Sequence, residues 1–434
     1  GTGLFAGRLP LVFFTNMPSN ALMAQGSAVA STVYKNGTIT PDAVLNKFKG
    51  GLVTDVTKIR ELLGAPATIT PEQGSLPKNF AGVDHNFKMP QVWKTAIAID
   101  GQVPVSFPLS FTAEFTFTKK IHDVMLDNYN IKSNDGWETL KGTGDDRYVY
   151  PNDYRYYKNI NSACVLTNTS KGYGWTFNFT VNAEPVQNLN LMAAYTHTVM
   201  KELTGMPGNN AYSTWSNMYA VQGPNFLELG NSRYVIPDRL IASASYKYAK
   251  DHFSLFYTGY SPSGYSFYYD GDINGDGNRY DLMYIPKDEN DIHFTNPADA
   301  DLFWKFVNQD SYLKNHKGEY AEPYSARAPF VHRFDFRWAH DFDVKIGQTK
   351  NKLVLSLDIM NVGNLFNSKW GVEKNMAGCN NGKILKVNKI VDGVPYFSMY
   401  KDKATGEAPT STWSFNHNYN QCWKMQIGVK YVFN

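Results

Sequence analysis

One short segment of the sequence places oxygen-bearing side chains at every second position. It reads DGDINGDGNRYD and covers residues 270–281. Carboxylate and amide oxygens separated by glycine are typical of loops that wrap around a hard divalent cation, because glycine permits the tight turns that direct successive oxygens at one centre. The candidate metal ligands are Asp270, Asp272, Asn274, Asp276, Asn278 and Asp281.

Two registers of a twelve-residue calcium loop fit this segment. A register that begins at Asp270 puts Gly275 in the sixth place and ends on a carboxylate, although a shorter aspartate replaces the usual glutamate. A register that begins at Asp272 puts Gly277 in the sixth place but ends on Met283, which is no ligand. The first register is preferred because its last residue can bind the ion.

The metal expected here is a structural Ca²⁺ that stiffens a long loop over residues 262–329. Calcium modules outside the cell bind the ion weakly, with dissociation constants of about 10⁻⁴–10⁻³ M, so the ion would hold structure and would not signal. The alternative is a solvated Asp/Gly turn that holds no ion. No helical pattern flanks the segment, so this would be a calcium loop without the two helices of an EF-hand.

The elements that position this loop are strands with one apolar and one polar face. From Leu109 to Thr118, apolar side chains alternate with Ser, Thr and Glu, and from Met425 to Phe433 the same period of two recurs. The composition agrees with such strands, since 15% of residues are aromatic and only 19% are charged. No apolar run approaches the roughly 18 residues of a transmembrane helix, so a membrane-spanning form would be a closed barrel.

The connections alternate between short and long, which is the layout of outer-membrane barrels. Short turns are expected at 101–106, 183–186, 249–250 and 345–350, and long loops at 17–88, 123–171, 202–235, 262–329 and 364–421, with a small hairpin over 383–400. The expected strands cover 2–15, 89–100, 107–122, 172–183, 187–201, 236–248, 251–261, 330–344, 351–363 and 422–433. The sequence therefore predicts an all-β, transmembrane antiparallel β-barrel wall of about ten strands with long extracellular loops.

Other clusters are interpreted mainly as structural. Arg327, His332, Arg333, Asp335 and Arg337 could contact a plug or an anionic substrate, but mutual pairing is preferred. The loop aromatics could stack on sugars or grip peptides, but packing is preferred; they are Tyr212, Trp215, Tyr219, Tyr260, Tyr265, Tyr268 and Tyr269.

Two further functional classes find little support in the sequence. Neither GxSxG nor HExxH occurs, so no enzyme activity is predicted. With a net charge of +3 and no basic stripe, nucleic acid is not an expected partner. The three cysteines allow either one disulfide, with Cys379 and Cys422 as the preferred pair, or three free thiols.

Several longer segments resemble one family of membrane proteins. They include GTGLFAGRLPLVF at 1–13, YYDGDINGDGNRYDLMYIP at 268–286, ARAPFVHRFDFRWAHDF at 326–342, LSLDIMNVGNLFNSKWGV at 355–372 and WKMQIGVKYVFN at 423–434. In these the chain resembles the C-terminal barrel region of the Oar-like TonB-dependent receptors of Bacteroidetes, which are related to SusC-type transporters and begin with a carboxypeptidase-regulatory-like domain.

The resemblance implies a function and a set of partners. Residues 1–434 would be the C-terminal part of one outer-membrane barrel of probable 22-strand type, and the signal peptide, TonB-contacting segment and plug would lie outside this chain. The expected function is TonB-dependent import of a large nutrient such as a peptide, glycan or chelate. A passive porin and an export or surface-assembly role are the alternatives. Expected partners are outer-membrane lipid, the remaining barrel and plug, the TonB complex and a surface lipoprotein.

Overall fold

The computed structural model describes residues 1–13, 34–35, 38–39, 54–63, 78–262, 264–347 and 349–433. Its main feature is one antiparallel sheet in which ten strands follow one another in chain order. They are β1 (Thr2–Ala6), β2 (Gln91–Gln102), β3 (Leu109–Asn128), β4 (Tyr173–Val186), β5 (Leu189–Glu202), β6 (Asp238–Tyr248), β7 (Asp251–Tyr260), β8 (Val331–Ile346), β9 (Thr349–Met360) and β10 (Lys424–Val432). The predicted all-β, antiparallel fold class is confirmed.

The predicted strands match these elements except at a few ends. The strand expected over 2–15 stops at Ala6, because the chain turns through Gly7 and Pro10 into a 3₁₀ turn at Leu11–Phe13. The strand expected over 351–363 stops at Met360, because Asn361 takes a left-handed φ of 50° and starts a helix. In contrast, β3 continues past the predicted end at 122 and leaves the main sheet to pair with a separate strand at Ser162–Thr169.

The two faces of the sheet differ in chemistry across all ten strands. Ile99, Ala113, Phe179, Tyr195 and Leu240 are successive partners in one cross-strand row and share the apolar face. This face is uncovered: the exposed fraction is 38% for Phe179, 64% for Ile97 and 70% for Ile427. An uncovered apolar face of this extent marks a surface made for lipid or for a protein partner.

The opposite face carries polar partners in the same register. Glu114, Asn178, Thr196 and Arg239 form one row, and the Thr196 hydroxyl donates a 3.0 Å hydrogen bond to the side-chain oxygen of Asn178. Because neighbouring residues of one strand point to opposite faces, the period of two in the sequence separates the two faces over the whole sheet.

The connections agree with the predicted alternation of length. Two residues join β4 to β5, β6 to β7 and β8 to β9, whereas the loops at the other end contain helices, 3₁₀ turns and short strands. The predicted hairpin is present as Leu385–Val391 paired with Val394–Met399, and it turns at Asp392 and Gly393, both with positive φ. Most of the loop predicted over 17–88 lies outside the described residues.

The long loops fold around their own hydrophobic cores beyond the end of the sheet. One core gathers Leu140, Phe267, Phe303, Ile384 and Phe397 from three different loops. The loop helices are α1 (Val56–Leu63), α2 (Ala211–Ser216), α3 (Ala298–Gln309) and α4 (Val362–Phe366), and the remaining 3₁₀ turns are Glu289–Asp291, Leu313–Asn315, Ala377–Gly382 and Tyr419–Gln421. The remaining short strands are Tyr34–Lys35, Thr38–Ile39, Asn79–Val83, Gly230–Asn231, Gly264–Tyr265, Tyr284–Ile285, His293–Phe294, Glu319–Tyr320, Ala326–Arg327, Lys374–Asn375 and Ser414–Phe415. Among the described residues, no helix has the length and apolar character needed to cross a membrane.

The sheet does not close on itself. In the described part of the chain, β1 pairs only with β2 and β10 only with β9, so each end strand leaves one backbone edge without a partner strand. Unpaired strand edges readily accept another strand. Ten strands therefore make an open wall, and a barrel built on this wall would need additional strands.

Candidate metal centre

The Asp/Asn segment forms a closed loop anchored in the hydrophobic core of the long loops. Its base is held by a 2.9 Å hydrogen bond from the backbone N–H of Tyr269 to the carbonyl oxygen of Asp281. Ile273 is fully buried in the core, and the backbone N–H of Tyr150 donates to the carbonyl oxygen of Asn274 at 2.8 Å. The segment is thus fixed at both ends and at its tip.

Within the loop, side-chain oxygens accept hydrogen bonds from backbone N–H groups further along. The carboxylate of Asp272 accepts from Gly275 at 2.7 Å and from Gly277 at 2.8 Å. The carboxylate of Asp276 accepts from Asn278 at 2.6 Å. Both glycines have positive φ, 81° and 86°, a conformation that favours glycine. The glycines therefore set the turns that bring the carboxylates inward.

The loop buries negative charge without neutralising it. The exposed fraction is 5% for Asp276 and 2% for Asp281, and one carboxylate oxygen of Asp276 has no hydrogen-bond partner. Burial and the nearby Asp272 raise the pKa of Asp276 to about 6. Burial, with repulsion from Asp276, raises the pKa of Asp281 well above its usual value. Buried carboxylates that repel one another are typical of a site that a cation would stabilise.

The candidate ligands fall into two groups. Asp272, Asn274, Asp276, Asn278 and Asp281 lie in the closed loop, and the amide nitrogens of both asparagines are buried without a partner. Asp270 begins the segment, but its backbone pairs with Leu385 and Val387, and its carboxylate is 3.4 Å from the ammonium of Lys383.

The arrangement fits a cation only in part. Within the described ranges, no three His, Cys, Asp or Glu side chains are placed as a ready metal site. The buried, unpartnered oxygen of Asp276 nevertheless fits an ion that would draw Asp276 and Asp281 together. Such an ion would use the asparagine side chains and backbone carbonyls as additional ligands.

A buried arginine lies beside the loop at a position that no sequence pattern indicated. Arg147 is fully buried and forms an ion pair with Asp145, with 2.8 Å between its Nε and the carboxylate. Its guanidinium lies 5.1 Å from the ring centre of Tyr269 and 5.4 Å from that of Tyr320. The Asp145 carboxylate raises the pKa of Arg147 against the opposing effect of burial, so the side chain stays charged. Its only sequence signal was a charged triplet, DDR, inside a loop rich in tyrosine.

The basic cluster on and before β8 has partners within the protein, but they are not the mutual pairs that the preferred interpretation expected. Arg337 forms an ion pair with Asp358 at 2.9 Å. Asp335 accepts from the backbone N–H of Asn361 at 2.6 Å, and Arg333 donates to the carbonyl oxygen of Gly371 at 2.9 Å. Most of these partners are backbone groups, so the cluster contains fewer ion pairs than expected.

The cysteines and the loop aromatics differ in their surroundings. Cys164 and Cys379 are buried and Cys422 is exposed, and all three are free, so the preferred Cys379–Cys422 disulfide is absent. Of the seven loop aromatics, Trp215, Tyr268 and Tyr269 are buried and serve packing. Tyr219, Tyr265 and Tyr268 line an open cleft, described below, that also contains residues not predicted from the sequence.

Comparison with known proteins gives a likeness in structure. No family model matches the chain, and no curated protein matches it. Among solved structures, the outer membrane transporter YddB from Escherichia coli is similar at 9% sequence identity with a TM-score of 0.38. The likeness covers 84% of this chain and 36% of the transporter chain, so the chain spans about a third of that protein's length.

Proposed function

We propose that the chain forms part of the wall and the outer vestibule of an outer-membrane transporter. The observation that carries the proposal is the ten-stranded sheet with one uncovered apolar face and one polar face. In a barrel, the apolar face would meet lipid and the polar face would line the lumen. Residues 1–434 would be one part of a single barrel domain, and strands outside this chain would pair with β1 and β10.

Aromatic side chains at both ends of the strands support a membrane location. Trp93 and Trp175 lie near the loop ends of β2 and β4, whereas Tyr248 ends β6 at its turn and Trp338 of β8 lies opposite Phe253, near the same turn. Trp338 donates a 2.9 Å hydrogen bond to Asp251, next to the turn between β6 and β7. Tyr and Trp belts of this kind mark the two lipid–water boundaries of a membrane barrel.

We infer active import from the resemblance to TonB-dependent receptors, with a plug and a TonB-contacting segment supplied from outside this chain. The surface of the long loops would face the medium and would meet the nutrient first. A lumen left open, with passive flux of small solutes, would instead indicate a porin.

A matched pair of substitutions on β4 tests which face of the sheet meets lipid. Phe179 and Asn178 are neighbours on opposite faces. Phe179→Arg would put a charge into lipid, at a cost of about 2–4 kcal/mol near the membrane midplane, whereas Asn178→Arg would face the lumen. We expect the F179R variant to lose most of its heat-modifiable band in outer-membrane fractions and the N178R variant to keep it. Equal behaviour of the two variants would contradict the proposed orientation.

We also propose that the loop over residues 270–281 holds a structural Ca²⁺. Asp272, Asn274, Asp276 and Asp281 would supply side-chain oxygens, Asn278 would contribute as a neighbouring ligand, and Asp270 would stay with Lys383. The unpartnered, buried oxygen of Asp276 carries this proposal. Calorimetric titration of the metal-free protein with Ca²⁺ should give one site in the parent and in the D270N variant, and none in D276N. Binding that survives in D276N and fails in D270N would favour the other register.

A further inference from the structure

Three long loops converge on a cleft that the sequence analysis did not anticipate. It lies between the β5–β6 loop, which supplies Tyr219 and Tyr234, and the β7–β8 loop, which supplies Tyr280 and Tyr324. Asn381, from the β9–β10 loop, completes the lining. The cleft measures about 660 Å³, within the roughly 300–1,000 Å³ range of small-molecule sites.

The floor of the cleft is a rigid group of tyrosine rings. The Tyr219 ring lies edge-on to those of Tyr268, Tyr280 and Tyr324, with centroid distances of 5.0, 5.3 and 5.4 Å. Tyr324 has a φ of 54°, which a bulky side chain rarely adopts, so the surrounding structure imposes its position. The floor therefore presents closely packed aromatic edges and hydroxyl groups to the cleft.

One cation stands at the mouth of the cleft. The Arg233 guanidinium lies 5.8 Å from the ring centre of Tyr234, a side chain that is 70% exposed. In the part of the chain that the structure describes, Arg233 has no carboxylate partner. A half-solvated arginine beside an open aromatic ring can bind the carboxylate of a ligand through its planar N–H groups. The ring can then pack against the apolar surface of the same ligand.

The lining chemistry points to a sugar ligand. Tyrosine hydroxyls, Ser266 and two asparagine amides surround the space, and proline is the only aliphatic side chain in the lining. Peptides bind by adding to a strand edge or by filling apolar pockets. Here the strand that lines the cleft, Gly264–Tyr265, has two residues, too few to hold an added peptide strand along its edge. The open ring of Tyr234, with hydroxyl and amide groups around it, instead matches the apolar face and the hydroxyls of a saccharide.

The cleft also adjoins the end of the polar face of the wall. A small cavity beside it is lined by Tyr219 and Tyr324 together with Glu202, the last residue of β5. Glu202 continues the polar-face series of Thr196 and Thr198, and it pairs with Lys120 of β3 at 2.7 Å. A ligand in the cleft would therefore sit at the outer end of the proposed lumen.

We propose that this cleft binds an acidic oligosaccharide, with a carboxylate on Arg233 and a sugar ring against Tyr234. The inference rests on the proposed function, because it names the class of nutrient that the vestibule would collect. It deepens that proposal by selecting the glycan among peptide, glycan and chelate, and by requiring that the glycan carry carboxylates.

The test uses the natural full-length protein, extracted from outer membranes, with trigalacturonic acid and its fully methyl-esterified form as probes. The two probes differ in charge and little in shape. Because the ester cannot form a charge-assisted hydrogen bond with Arg233, we expect the acid to bind at least tenfold more tightly than the ester. The Arg233→Gln variant should lose that preference, and Tyr234→Leu should weaken both probes.

Matched controls lie on other parts of the loop surface. Lys389 lies 5.0 Å from the ring centre of Tyr396, and Tyr156 is 61% exposed. Lys389→Gln and Tyr156→Leu should leave binding of both probes unchanged. Equal binding of acid and ester, no binding of either, or tight binding of a hexaglutamate peptide would each overturn the saccharide proposal. Normal heat-modifiable assembly of the same preparation separates that outcome from failure of the proposed barrel.

Discussion

The guanidinium of Arg147 donates a 2.7 Å hydrogen bond to the carbonyl oxygen of Leu282, the residue that follows Asp281 at the end of the candidate metal loop. This bond joins the β3–β4 loop to the β7–β8 loop. One terminal nitrogen of Arg147 is left buried without a partner, and Asp281 contributes to holding its positive charge. The arginine therefore connects the candidate metal loop, through Leu282 and Asp281, to the tyrosine rings packed around its guanidinium.

Replacement of this arginine should destabilise the loop core strongly. Arg147→Met would leave the Asp145 carboxylate buried and unpaired, which typically costs about 3–5 kcal/mol. We expect faster amide hydrogen exchange over residues 267–285. Lys132→Met is the control, because the Lys132–Asp153 pair, at 2.8 Å, is exposed to solvent and such pairs contribute at most about 1 kcal/mol. Similar exchange in the two variants would mean that the buried pair does not support the core.

Calcium should protect the loop from proteolysis. A bound ion would stabilise the closed loop by mass action, so limited digestion should slow in Ca²⁺ relative to EDTA. Asp272→Asn should remove this protection, because Asp272 is a proposed ligand and its carboxylate also holds two backbone N–H groups. Asp270→Asn should retain it. Equal digestion in Ca²⁺ and EDTA for the parent protein would exclude a structural ion.

The metal-free loop should become less stable as the pH rises. Burial raises the pKa of Asp276 to about 6, so the closed loop favours the protonated carboxyl. The resulting stabilisation is complete below the unfolded value near 3.8 and is lost as the pH rises through about 6. In EDTA, digestion of the loop should be faster at pH 7.5 than at pH 5, measured with a protease active at both values.

Calcium binding should show the opposite dependence. The ion competes with the proton for the carboxylate, so its affinity should fall as the pH is lowered below about 6. The Asp276→Asn variant, which cannot titrate at this position, serves as the control for the metal-free experiment. A pH dependence that persists unchanged in that variant would assign the effect to another group.

Thiol labelling should distinguish the three cysteines. Cys422 is exposed, whereas Cys164 and Cys379 are buried, and burial raises the pKa of Cys379 to about 12. Because the thiolate is the reactive form, the folded protein should take up one maleimide and the denatured, unreduced protein three. Uptake of a single maleimide after denaturation would instead reveal a disulfide.

The ten-stranded sheet could be predicted from the sequence because each strand and each short turn depends on residues that are close together in the chain. Alternation with a period of two defines each strand, and short turns such as Ala249–Lys250 fix which neighbours pair. The predicted strand ends were less accurate where the backbone leaves the extended conformation. Gly7 and Pro10 shorten β1, and the left-handed Asn361 ends β9.

The loop region could be predicted only in part. The candidate metal segment was visible because its candidate ligands lie within twelve residues, but the position of Asp270 depends on Lys383, more than a hundred residues away. Arg147 and Arg233 are single residues in polar loops, and their surroundings form only when several loops meet. No local pattern distinguishes a buried or cleft-lining arginine from one that faces solvent.

The connectivity of the sheet also orders the events of folding. Nine successive pairings join β1 to β10, and each pairs two strands of the main sheet that follow one another in the chain. Five of these pairs are separated by loops of more than twenty residues. The core around Phe267 and Phe397, in contrast, gathers residues from loops that these pairings must first bring side by side. Loop closure over such separations is slow and costly until the strand ends are held together. We therefore expect assembly from the sheet outward, with the core of the long loops as the last region to become protease-resistant.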